Sequence, residues 1–208
     1  MAASSARWSA AAAFAAVSLL ACSIGRGEGA VTGTVRVPSC RLTDDTFDLG
    51  VNFFGAEFIN DPERRDPTRR RERMLIRLQR GTYREADSDG LLISVDDVNE
   101  VERELLDVPI EIGTGPDARV RMTLYLGQRC HSGFPDSRWT RSVIMAAQSG
   151  TIRFSDIYAP AIGDAEIEIA ATFDEVVFSD PAEPEWSAVL SGAFRFAYQR
   201  GAPAQAFP

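Results

Sequence analysis

The stretch Leu190-Ser191-Gly192-Ala193-Phe194-Arg195-Phe196-Ala197-Tyr198-Gln199 places Leu190, Gly192, Phe194, Phe196 and Tyr198 at every second position. Successive side chains of a strand point to opposite faces, so these five share a face and Ser191, Ala193, Arg195, Ala197 and Gln199 share the other. A strand over residues 186–199 with one buried face is predicted. Working back along the chain, 165–178, 150–158 and 142–147 read the same way. Val120, Met122, Leu124 and Leu126 alternate with Arg121, Thr123 and Tyr125. Further upstream the period of two recurs through Val31, Gly33, Val35 and Val37, through Phe47, Leu49, Val51 and Phe53, and through Met74, Ile76 and Leu78. Leu91 to Val95 follow the turn signal Asp87-Ser88-Asp89-Gly90, and Ile110 and Ile112 begin another strand. One segment departs from this period. Val98, Val101, Leu105 and Leu106 recur at helical spacing, with Asp97 and Glu100 as a capping-box-like pair and Pro109 beyond them. A short helix from Val98 to Leu106 is expected. About nine strands and one helix predict a mainly β fold, an antiparallel β-sandwich or a barrel-like form of it.

The chain has 208 residues and a formal net charge of −8, and every one of its 22 cationic side chains is an arginine. The absence of lysine excludes Schiff-base chemistry, a Walker-type phosphate loop and a lysine base. A single histidine, His131, excludes multi-histidine metal centres, and any triad chemistry would have to run through it. Acidic balance argues against bulk affinity for nucleic acid or anionic lipid.

Residues 1–21 hold one charge, Arg7, followed by a small and apolar run from Trp8 to Ala21. This has the form of a signal peptide, too short for the roughly 20 apolar residues of a membrane span. It ends on Leu19-Leu20-Ala21-Cys22, which resembles the lipobox of bacterial lipoproteins. The resemblance implies cleavage before Cys22, lipidation of that cysteine and, with Ser23 rather than Asp after it, export to the outer membrane, on its periplasmic face or at the cell surface. Several acyl chains anchor stably where one is marginal. The expected organisation is a signal peptide over 1–21, a short tether over 22–29 and a single β-domain over 30–208. Gly150 to Phe154 and Leu190 to Phe196 are also similar to the closing strands of small secreted bacterial β-sandwich lipoproteins. That likeness bears on fold and not on activity.

In an oxidising compartment Cys40 and Cys130 are expected to form a disulfide. The alternative is a reactive thiol at Cys130 beside His131.

Two patterns suggest ligands. Glu85, Asp87 and Asp89, then Gly90 and, six residues on, Asp96, occupy the ligand and glycine positions of an EF-hand-like calcium loop. Glu at the first place, a short Asp at the last and flanking strands depart from that motif, and a turn carrying solvated acids accounts for the same residues. Arg64, Arg65, Arg69, Arg70, Arg71 and Arg73 lie in an exposed connection broken by Pro62 and Pro67. Their guanidinium forks suit phosphates or carboxylates of the envelope, and a solvated loop is the plainer reading.

The expectation is therefore a lipid-anchored, non-catalytic envelope module, structural or binding, whose partner is a protein or polysaccharide and which takes no nucleic acid. A calcium-dependent carbohydrate or adhesion module is the alternative, and a hydrolase built on His131 or on a carboxylate pair is a third. No cofactor is required, except calcium in the second reading.

Overall fold

A computed structural model describes residues 26–60, 72–81, 88–115, 117–131, 143–158 and 167–198. Among these residues there are ten strands: β1 (Arg26–Val37), β2 (Leu42–Asp48), β3 (Phe53–Asn60), β4 (Glu72–Gly81), β5 (Ser88–Asp96), β6 (Ile110–Glu111), β7 (Val120–Leu126), β8 (Val143–Asp156), β9 (Ile167–Asp180) and β10 (Glu183–Tyr198). They form one antiparallel sheet in the order β2, β1, β10, β9, β8, β7, β5, β4, β3, with β6 paired to β8. The sheet curls into a half-barrel. Of the two architectures expected from the alternation, the barrel-like one is present.

The alternation explains the curl. Inward positions carry Val31, Ile76, Ile93, Leu124, Met145, Phe154, Phe173, Phe178, Leu190 and Phe196, all within one continuous core. A sheet with a single apolar face buries it by curling that face inward. Register shifts in β8, in β9 and between β1 and β2 sharpen the bend, as bulges do. Across the interior the Phe54 and Phe196 rings lie 5.6 Å apart, bringing β3 against β10.

The seam lies between β2 and β3. These are the two sheet edges, yet only residues 49–52 separate them in sequence. Leu49 N–H still donates to Val31 O on the β1 side at 2.9 Å, while Asn52 N–H donates to Gln79 O on the β4 side at 2.9 Å. One extended segment thus changes partner at Gly50, whose φ of 61° is the left-handed region that glycine enters without a Cβ penalty. The alternating run Phe47 to Phe53, expected to be one strand, is this switch. Conversely, 142–147 and 150–158, expected as two strands, join as β8 through its bulges.

Two other expectations are corrected. Residues 26–29, assigned to the tether, pair with β10, Arg26 opposite Ala197 and Gly29 opposite Phe194. The glycines that suggested a flexible linker face inward, where a Cβ on Gly27 would sit 2.2 Å from that of Phe196. The helix α1 (Val98–Glu104) buries Val98 and Val101, but its Asp97 cap is left-handed with no side-chain capping bond, so the capping box does not form.

α1 covers one end of the half-barrel. The other end carries the 3-10 turn Pro38–Cys40 and the short helix α2 (Gln128–His131). Cys40 and Cys130 form the expected disulfide across it. No described helix is long and apolar enough to cross a membrane.

Candidate functional site

At the disulfide end the mouth of the half-barrel opens into a cavity of about 400 Å³. Its apolar floor is Val35 and Phe47, which belong to the core, and its wall carries Thr43, Thr46 and Asp48 of β2. Three arginines surround it, each from a different element: Arg41 after the 3-10 turn, Arg80 near the end of β4 and Arg129 in α2.

Arg129 is the fixed member. Its guanidinium lies 4.3 Å above the Phe47 ring, donates through Nη2 to the Asp48 backbone carbonyl, and sets Nε 3.4 Å from Asp89 Oδ2. Asp89, wholly buried at the start of β5, accepts the backbone N–H groups of Gln128 and Arg129 at 3.0 and 3.1 Å. The same carboxylate therefore holds the first turn of α2 and backs Arg129. Burial raises the Asp89 pKa above the ordinary carboxylate range, outweighing those hydrogen bonds and the charges of Arg129 and Arg80. Burial also lowers the Arg129 pKa, and the Arg80 charge acts in the same direction against the attraction of Asp89 and Asp48.

Arg41 and Arg80 are different. Both are exposed, and among the described residues neither makes a side-chain hydrogen bond or ion pair. Arg80 extends over Gly50, whose added Cβ would lie 3.2 Å from Arg80 Nη1, so the residue that turns the seam also leaves room for this side chain.

A second concavity of about 530 Å³ lies on the outer face of β1, β10 and β9 at the opposite end, floored by Ala30, Ala193 and Ala170. Its arginine, Arg195, is already paired with Glu168 at 2.7 Å. Burial, then the Glu168 charge, raises the pKa of nearby Asp156. Among the described residues lining this surface Arg195 is the one cation, and it is paired, whereas the mouth has Arg41 and Arg80 with no ion pair to a described residue.

The residues singled out in the sequence fall elsewhere. Asp89 and Asp96 occupy opposite ends of β5, about 23 Å apart at some 3.3 Å per residue. They cannot ligate one ion, and the Asp96 oxygens are engaged by Arg73 Nε and Arg121 Nη2, each at 2.6 Å. Among the described residues no group of three or more His, Cys, Asp or Glu is placed to hold a metal. Gly90 has another use: the Tyr125 side chain crosses β5 at the space it leaves and donates to Gln79 Oε1 at 3.1 Å. Glu85 and Asp87 lie outside the described residues, as do Cys22, Arg64, Arg65, Arg69, Arg70 and Arg71. Arg73, the last of that run, is bound to Asp96.

Arg41, Arg80 and Arg129 are not among the residues that local sequence patterns single out. For two of them a signal existed, because Arg41 follows Cys40 and Arg129 precedes Cys130. With the cysteine Cα atoms 4.8 Å apart, one 3.8 Å step on each side keeps the two arginine Cα atoms within about 12 Å. Arg80 has no such marker, since only the register of β4 brings it there. Comparison of the chain with protein-family models, with curated proteins and with solved structures gives no match to any of them.

Proposed function

We propose that this chain is an exported, lipid-anchored module of the cell envelope that binds its ligand at the disulfide-fastened mouth rather than transforming it. The observation that carries export is the Cys40–Cys130 bridge, which belongs to an oxidising compartment. Anchoring rests on the lipobox-like Leu19-Leu20-Ala21-Cys22, whose cysteine the resemblance assigns to lipidation. Binding is supported by the construction of the mouth. Its cationic groups come from three different elements, a buried carboxylate fixes one of them, and the other two are exposed with no side-chain hydrogen bond or ion pair among the described residues.

Growth with labelled palmitate tests the anchor. Label should enter the wild-type chain and be lost in Cys22→Ala; an unlabelled wild type contradicts lipidation. Free thiols at Cys40 and Cys130 in protein taken from the cell envelope would contradict export. A calcium-dependent module finds no support in the placement of Asp89 and Asp96.

A further inference from the structure

We propose that the mouth binds a phosphate-bearing small molecule, its phosphoryl oxygens shared among the guanidinium groups of Arg41, Arg80 and Arg129. This deepens the reading of the domain as a binding module and is independent of the lipid anchor. Three guanidinium groups reach the cavity from three elements. A planar carboxylate presents its two oxygens in one plane and suits one fork, whereas a tetrahedral phosphoryl group presents oxygens in several directions and suits a ring of forks. The charge count agrees. Asp48 lines the mouth and Asp89 lies behind Arg129, so among the described residues three cations face two carboxylates, in a chain whose net charge is −8. Asp48 is turned partly away, because its Oδ1 accepts the Gly50 N–H at 2.8 Å.

The ligand has an organic part. A cavity of about 400 Å³ lies within the range that takes small organic molecules, roughly 300–1,000 Å³, and is far larger than inorganic phosphate needs. Val35, Leu42 and Phe47 give that part an apolar surface, and the Thr43 and Thr46 hydroxyls give it hydrogen-bonding partners. Arg129 is pre-positioned by Asp89 and Phe47, so binding orders only the two exposed arginines.

Thermal unfolding of the whole chain tests this, with chloride, acetate, inorganic phosphate and glycerol 3-phosphate compared at equal ionic strength. Inorganic phosphate and glycerol 3-phosphate should raise the Tm in a saturable way, glycerol 3-phosphate at lower concentration, because a ligand that binds only the folded state stabilises it. Arg41→Met and Arg80→Met should each weaken binding about tenfold or more, the loss expected for a charge-assisted hydrogen bond, while leaving the unliganded Tm unchanged. A Tm indifferent to both phosphates, an equal rise with acetate, or full binding in both variants would overturn the proposal. Sedimentation with phosphatidic acid vesicles, against phosphatidylcholine vesicles, separates the two sources of the group. Vesicle binding displaced by glycerol 3-phosphate assigns a lipid headgroup, and binding of the soluble probe alone assigns a free phosphorylated molecule. Failure of every arm would remove the phosphate assignment and leave the palmitate experiment as it stands.

Discussion

β5 carries one buried carboxylate at each end, and the two carboxyl groups titrate in opposite directions. Burial by itself would raise both. At Asp96 the hydrogen bonds and charges of Arg73 and Arg121 together outweigh burial, and the pKa falls below the ordinary value. At Asp89 two backbone N–H groups and one looser arginine do not outweigh it, and the pKa rises. The difference separates a closed end from an open one. Around Asp96 each oxygen has a guanidinium at 2.6 Å, and the neighbouring Arg119 is paired with Glu100 at 3.0 Å. Around Asp89, Oδ2 has a charge contact but no hydrogen bond, and Arg41 and Arg80 make no side-chain hydrogen bond or ion pair among the described residues. Arg73, Arg119 and Arg121 are each ion-paired at one end, whereas at the other Arg41 and Arg80 make no ion pair with a described residue.

Removing the disulfide should have the largest effect, because it fastens the open end across 90 residues of chain. The Cys40→Ala, Cys130→Ala double variant should lose about 4 kcal/mol in urea unfolding, in the chain-entropy view of a loop that long. Next comes Asp96→Ala, which leaves two arginines facing each other over a buried gap. A loss of about 2–3 kcal/mol is expected, below the range for fully buried pairs because both arginines are partly exposed. Asp89→Asn should cost less, about 1 kcal/mol or under, since an amide oxygen still accepts the α2 N–H groups and burial already disfavours the charge. A larger loss for Asp89→Asn than for Asp96→Ala would invert the comparison.

The pH dependence follows with opposite signs. The depressed Asp96 pKa contributes stability that is complete above its unfolded value, about 3.9, and is lost as pH falls through the folded value. The raised Asp89 pKa works the other way: the folded state binds the proton more tightly, so stability declines as pH rises from about 3.9 through the folded value. Denaturation of Asp96→Asn across the acid range should therefore show a shallower fall toward low pH than the wild type, and Asp89→Asn a steeper one. An effect as small as that of Asp89→Asn is expected at the seam. Gly50→Ala places a Cβ in the left-handed region and should cost about 1 kcal/mol by thermal unfolding.

Alternation made most of the strands legible, since they carry core residues at every second position, though it marked none over residues 54–60 of β3, and the helix stood out where the period changed at Val98 and Val101. The partner of each strand was not legible. Phe47 to Phe53 reads as one alternating run, and nothing local says that its first half pairs with β1 and its second with β4. The acidic spacing before Asp96 suggested a compact loop, but Ser88 to Asp96 form a strand, which carries Asp89 and Asp96 away from each other. Gly27 and Gly29 suggested a tether, although in a sheet the absence of a side chain also makes room for an opposing ring. The arginines of the mouth lie at positions 41, 80 and 129, and long-range pairing brings them together, which no local pattern records.

Amide hydrogen exchange of the whole chain, with and without glycerol 3-phosphate, compares the two ends in one experiment. Added protection should concentrate at residues 41–50, 79–81 and 127–131, with residues 72–76, 94–98 and 119–121 unchanged. Protection confined to the Asp96 end, or spread evenly over both ends, would contradict the assignment of the mouth as the binding end.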